Sequence, residues 1–207
     1  ERSRGLGDVY KRQTPNVAEV IQDIIQETFE ENYISVVKGG IEETQKLIHL
    51  PFDYMFFTGS EKVGQIIYES AAKNLVPVTL ELGGKSPVII DQTANLKVAS
   101  ERISFGKFTN AGQTCVAPDY ILIDRKVKND FINALKQTIT EFYGENIKES
   151  PDFGRIVNQK HFNRLNELLE THESKTIFGG KSFEEDLYIE PTLIDNVNLQ
   201  DLSLIHI

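Results

Sequence analysis

The sequence predicts an α/β fold: a unit built on a parallel sheet, then a second α/β unit, the whole truncated at both ends. Two observations predict it. Short β-branched runs alternate with stretches whose apolar residues recur every three to four positions, and Gly83-Gly84 separates two such series within the 207 residues. The composition agrees: 40% hydrophobic and 26% charged residues are ordinary globular proportions, enough to bury a core.

The elements follow in order. Thr14-Pro15 opens the first helix, a hydroxyl N-cap and then proline where no N–H is missed. Val17, Val20, Ile21, Ile24, Ile25 and Phe29 form a stripe for packing on a sheet. Residues 33–37 read as a strand ended by Gly39-Gly40, 42–48 as a short helix and 54–57 as a second strand. Residues 61–73 are helical, with Val63, Ile66, Ile67 and Ala71 inward, and 76–82 form a third strand. This β-α-β-α-β order is that of a Rossmann-like parallel sheet unit with helices on its faces. Past Gly83-Gly84 come a strand at 87–90, a helix at 96–108, a strand at 120–123 and a long helix at 127–143. A helix near 159–170 and short strands near 176–178 and 192–194 complete the second unit.

The two ends carry a different signature. Residues 202–207, Leu-Ser-Leu-Ile-His-Ile, back-translate as CTG TCT CTT ATA CAC ATC. The reverse complement, GAT GTG TAT AAG AGA CAG, encodes Asp-Val-Tyr-Lys-Arg-Gln, which is residues 8–13. Such an inverted repeat resembles a transposon-end sequencing adapter translated with its insert. Residues 1–13 and 202–207 are therefore expected to be adapter-derived and are set aside, as an expression scar would be. The native part is then 14–82, the first unit, and 83–201, the second.

Charge and cysteine content exclude several classes of function. The net charge of −9 leaves no basic excess for nucleic acid. One cysteine rules out an intrachain disulfide framework and a multi-cysteine zinc site. No apolar run is long enough to cross a bilayer. His49, His161 and His172 lack metal-ligand spacing, so no metal is expected and they read as surface or structural residues. The expectation is a soluble, acidic, cytoplasmic protein.

Three segments could carry chemistry, and each has two readings. Phe57-Thr-Gly-Ser-Glu-Lys-Val-Gly64 joins a strand to a helix, where an open sheet offers loop amides and a positive helix end to a dinucleotide. On spacing alone it also fits a plain tight turn with Ser60 as helix cap. Cys115, in Asn110-Ala-Gly-Gln-Thr-Cys-Val-Ala-Pro118, is a small buried hydrophobe or a nucleophile served by nearby backbone N–H groups. Glu81 closes the apolar run Val78-Thr-Leu-Glu-Leu82 just before Gly83-Gly84. It is either a rim-facing residue at the sheet edge or a carboxylate placed at a site, since strand C-terminal ends are where α/β folds build them.

Phe56-Phe-Thr-Gly-Ser60, Leu80-Glu-Leu-Gly-Gly-Lys-Ser-Pro87 and Asn110-Ala-Gly-Gln-Thr-Cys115, in this order and at these separations, resemble the NAD(P)-dependent aldehyde dehydrogenases over essentially all of 14–201. Phe52-Asp-Tyr, Cys115-Val-Ala-Pro-Asp-Tyr120, Phe142-Tyr-Gly and Gly154-Arg-Ile-Val-Asn-Gln-Lys160 are most similar to the class 3 branch.

The resemblance implies that Cys115 is the nucleophile and Glu81 the general base. The aldehyde would pass through a thiohemiacetal and an acyl thioester to the acid, with hydride going to NAD or NADP. It assigns Gly59, Ser60, Val63 and Gly64 to the loop and helix start that carry the cofactor's pyrophosphate, with Thr58 and Leu82 among the cofactor contacts. It implies a small-molecule aldehyde as substrate and a homodimeric parent, the second unit being its catalytic domain. The family's oxyanion-hole asparagine, its Lys-Pro-Ser-Glu stretch and its Glu-Ile-Phe-Gly-Pro stretch have no counterpart in 14–201, so this stretch alone is expected to be inactive. The alternatives are a CoA-acylating relative, which retaining Glu81 argues against, a thiol hydrolase, for which no histidine carries a motif beside Cys115, and a catalytically silent member of the same fold.

Overall fold

The structure, a computed structural model, describes residues 14–198 and 201. The expected adapter-derived ends, 1–13 and 202–207, lie outside the described residues. The chain divides into two compact units, Glu1–Leu82 and Gly83–Ile207.

In the first unit the order is α1 (Pro15–Thr28), α2 (Ile41–Leu47), β1 (Met55–Thr58), α3 (Glu61–Lys73) and β2 (Val78–Glu81). β1 and β2 pair in parallel from Met55↔Val78 to Thr58↔Glu81, and α3 makes the crossover between them. Ile48, Met55, Ile67, Ala71 and Val76 form the core beneath α3. The helix buries Gly64, Ile67, Ser70 and Ala71. Val63 and Ile66, expected to point inward, are 38% and 47% exposed. The reason is the glycine: a Cβ on Gly64 would lie 2.8 Å from a Leu82 methyl, so α3 touches β2 along Gly64 and its neighbours one and two turns on.

Three further expectations for this unit are corrected. The α1 stripe faces outward, with Val17, Val20, Ile21 and Ile24 each at least half exposed and Ala18 buried. A sheet of two strands is about one helix diameter wide; α3 fills the face that carries Met55 and Phe57, and the opposite face, with Phe56 65% exposed, is left bare. Residues 33–37 make isolated bridges at Ile34 and Val37 rather than a strand, because no neighbouring strand among the described residues supplies a ladder. Thr14 makes no side-chain cap; its ψ of 64° falls short of the extended geometry that aims a hydroxyl at the first free amides.

The second unit runs β3 (Ser86–Ile90), α4 (Leu96–Phe108), β4 (Pro118–Ile123), α5 (Lys128–Tyr143), α6 (Gln159–Thr171), β5 (Thr176–Phe178), β6 (Ser182–Phe183), β7 (Tyr188–Ile189) and β8 (Leu193–Ile194). β3 and β4 are parallel; β5 with β8 and β6 with β7 are antiparallel. The β6–β7 hairpin is absent from the sequence-based expectation, because strands of two residues show no alternation. The core gathers Ile90, Phe108, Phe131, Leu135, Ile139, Ile147, Phe153 and Tyr188. Where α4 meets α5, the buried Ser100 and Thr138 hydroxyls bond at 2.9 Å. Tyr143, Phe153 and Tyr188 stack edge to face at 5.2 and 5.9 Å, tying the end of α5 to the hairpin. Burial pushes the Tyr188 phenol up to about 12. On the other face of the sheet the paired Ile89 and Leu122 stay bare, 77% and 53% exposed. Among the described residues no helix is long and apolar enough to cross a membrane.

Candidate active site

Parallel strands end at the same edge, and here that edge is Thr58 beside Glu81. The Gly59 N–H donates to the Glu81 carbonyl at 3.0 Å, so the loop leaves β1 alongside the acidic residue. Ser60 caps α3, its Oγ accepting from the Val63 N–H at 3.4 Å, as the tight-turn reading has it. A Cβ on Gly59 would fall 2.5 Å from the Phe57 ring, which leaves no room for a side chain unless that ring moves. Thr58, Gly59, Ser60, Val63 and Glu81 are exposed; Gly64 is buried and Leu82 half-buried against it. Being exposed, Glu81 escapes the cost of an ionised carboxylate inside a sheet. A groove of about 420 Å³, lined by Glu61, Gln65, Tyr68, Glu69, Leu80 and Leu82, runs between α3 and the end of β2.

Cys115 stands on the second unit, exposed and unbridged, and so is not a buried hydrophobe. The path to it is unusual. After α4 the backbone turns left-handed at three successive residues, Asn110, Ala111 and Gly112, with φ of 55°, 52° and 79°. For alanine that conformation costs about 1–2 kcal/mol. A tight turn follows in which the Ala117 N–H donates to the Thr114 carbonyl at 3.0 Å, with Cys115 at its crest. Ala117 is buried and Pro118 opens β4, so the far side of the turn is fixed to the sheet.

Sequence reasoning singled out Cys115 but not what surrounds it. The Gln113 side chain donates to the Asn110 and Arg155 carbonyls at 3.0 and 2.9 Å and accepts from the Val157 N–H at 2.9 Å. Arg155 in turn donates to the Lys148 carbonyl at 2.6 Å and lies over the Tyr188 ring. Asp119, four residues past Cys115, holds Lys85 at 2.5 Å and Lys107 at 3.9 Å. Burial lowers the Lys107 amine from its ordinary range, Lys85 lowers it further, and Asp119 opposes both. For Gln113, Lys85 and Asp119 a signal existed, since they sit inside the Asn110–Cys115, Leu80–Pro87 and Cys115–Tyr120 segments; for Lys107 none did.

Two of the histidines have structural partners: His49 Nδ1 meets Ser70 Oγ at 2.9 Å, and buried His172 meets the Leu168 carbonyl through Nδ1 at 2.8 Å. Among the described residues no cluster of three His, Cys, Asp or Glu could hold a metal ion.

Comparison with known proteins agrees across nearly the whole chain. The profile of the aldehyde dehydrogenase family matches residues 10–204. The 4,4'-diaponeurosporen-aldehyde dehydrogenase of Staphylococcus aureus (strain NCTC 8325 / PS 47) is 68% identical over 184 residues, which is 89% of this chain and 40% of that protein. The rat enzyme named aldehyde dehydrogenase, dimeric NADP-preferring, is 45% identical over 185 residues, again 89% of this chain and 40% of the relative. A Mycobacterium tuberculosis aldehyde dehydrogenase complexed with NAD+ superposes with a TM-score of 0.84 at 30% identity, over 97% of this chain and 43% of that one. The chain thus spans about two fifths of the length of the relatives it matches.

Proposed function

Because the chain belongs to the aldehyde dehydrogenase family, we propose that the whole enzyme oxidises an aldehyde to a carboxylic acid with NAD or NADP, Cys115 acting as nucleophile and Glu81 as general base. The observation that carries this reading is the exposed, unbridged thiol at the crest of the 114–117 turn. The Cys115 thiolate adds to the aldehyde carbon, forming a C–S bond and an alkoxide that the Cys115 backbone N–H helps to hold. A bound nicotinamide supplies the hydride acceptor that turns this adduct into an acyl thioester. Glu81 then takes a proton from water, the water oxygen adds to the thioester carbon, and the thiolate leaves with release of the acid.

The first unit fits the cofactor. Its exposed Thr58-Gly59-Ser60 loop precedes the N-terminus of α3, whose free amides suit a pyrophosphate. Within this assignment Val63 and Gly64 form the first turn behind the loop, and Leu82 closes the strand end beneath it. The dimeric, NADP-preferring rat relative supports a homodimer and the wider cofactor choice. A reduced, nucleophilic cysteine suits a reducing compartment, hence the cytoplasm. The substrate class is an apolar aldehyde, medium-chain or aromatic; the name of the S. aureus relative adds a long polyene aldehyde to the panel.

The test is to feed the full-length enzyme these aldehydes with NAD or NADP and follow reduced cofactor and acid together. Equal formation of both is the expected result. Acid replaced by acyl-CoA, and only when CoA is added, would make the enzyme CoA-acylating. No reduced cofactor with any aldehyde would make it a silent relative.

A further inference from the structure

We propose that Gln113 is a positioning residue for the nucleophile: its side-chain amide straps the strained turn before Cys115 to the 155–157 segment and so sets the direction in which the thiol points. The inference rests on Cys115 being the nucleophile. Left to itself, a stretch with Asn110 and Ala111 at positive φ would relax, because nothing local favours alanine there. Ala111 packs on the hydrophobic core, which holds one side of the turn. Gln113 holds the other, and it uses all of its hydrogen-bonding faces to do so. Both amide hydrogens are spent, one on the Asn110 carbonyl within the turn and one on the Arg155 carbonyl across from it, while Oε1 receives the Val157 N–H. The Gln113 backbone N–H adds a second bond to the Asn110 carbonyl at 3.1 Å.

The anchor is itself rigid. The Ile156 N–H donates to the Leu187 carbonyl at 2.9 Å, and Ile156 is 4% exposed. Phe153, two positions before Arg155, packs on Tyr143 and Tyr188. Gly154 lies over the turn, and a Cβ added there would come 3.5 Å from the Ala111 nitrogen. The Gln113 side chain therefore ties the turn to a segment anchored in the aromatic core. Cys115 follows two residues later on a turn whose far end is pinned by Ala117. A displacement of about 1 Å at a reacting atom is enough to cost about 100-fold in rate.

The test uses the full-length enzyme with Gln113→Glu, which puts a carboxylate against two carbonyl oxygens. Gln113→Met, similar in length but without the amide, carries the test if the first variant fails to fold. The hydride burst is followed with saturating aldehyde and cofactor, alongside KM for both and the melting temperature. The expected result is a burst rate lower by about 100-fold with both KM values held within about threefold. A lower melting temperature with a wild-type burst rate would make Gln113 merely structural and overturn the proposal, as would failure of both variants to fold. Cys115→Ala is run in parallel: turnover by that variant overturns the nucleophile reading itself, whereas a dead Cys115→Ala beside a normal burst in the Gln113 variants overturns only the strap.

Discussion

Glu81 and Cys115 act at different steps of the proposed cycle, so substitutions at the two should fail differently. Cys115→Ala removes the atom that forms the thioester; turnover should vanish while cofactor binding, which draws on the Thr58–Ser60 loop, stays close to wild type. Glu81→Gln leaves thiol attack and hydride loss intact and blocks hydrolysis. A burst of about one reduced cofactor per active site should survive in that variant while steady turnover is lost. Stopped-flow measurement of the burst decides the matter: burst and steady rate lost in equal measure would mean that Glu81 helps to activate Cys115 or holds the end of β2. Both candidates stand out in the sequence because their immediate neighbours, Gly83-Gly84 on one side and Asn110–Thr114 on the other, carry a recognisable pattern. The hydrogen-bonding role of Gln113 was not, since its partners lie 42 and 44 residues further along the chain.

Helices were the most readable elements, and their caps explain why. Ser60, Asn95 and Asn158 each accept a hydrogen bond from an amide in the first turn, and the expected starts of α3, α4 and α6 fall directly after them. Strands were less legible, because a strand exists only when a neighbour supplies its ladder; residues 33–37 have the composition of one without the partner. Helix α5 illustrates a contact that no local pattern announces. Lys128 sits in its first turn, where a cation opposes the helix dipole, and Asp195 from the end of β8 meets it at 2.6 Å. The Lys128 hydrogen bond, with help from the Asn196 amide, holds the Asp195 carboxyl below its ordinary value. A depressed carboxyl contributes stability above the unfolded value of 3.8, and that contribution is lost as pH falls through the lowered folded value. Asp195→Asn should thus melt about 1–2 °C below wild type near neutrality, a loss of about 0.5 kcal/mol for a partly exposed pair. The two melting curves should converge in acid; a gap that persists at pH 2 would show that the ion pair is not the cause.

At the scale of the molecule, the two units are α/β as the alternation predicts, yet among the described residues each parallel sheet has two strands. Parallel sheets are ordinarily covered on both faces. Here Phe56 on β1, the Ile89–Leu122 pair on β3 and β4, and the α1 stripe all face outward. Uncovered strands and apolar faces of this kind promote association. Residues 14–201 produced alone should therefore self-associate or fold loosely, and should bind NAD or NADP too weakly for turnover. A soluble monomer with a cooperative melt, a cofactor-induced rise in melting temperature and measurable aldehyde oxidation would refute this. The bare Ile89–Leu122 pair also suggests a use. Two apolar side chains on the open face of a short parallel ladder form half of an interface, so this chain should behave as one piece of a split reporter. Co-produced with the upstream and downstream flanks of a close relative as two further pieces, none of the three being active alone, it should regain aldehyde oxidation by reassembly, and a charge placed at Ile89 or Leu122 should abolish the signal.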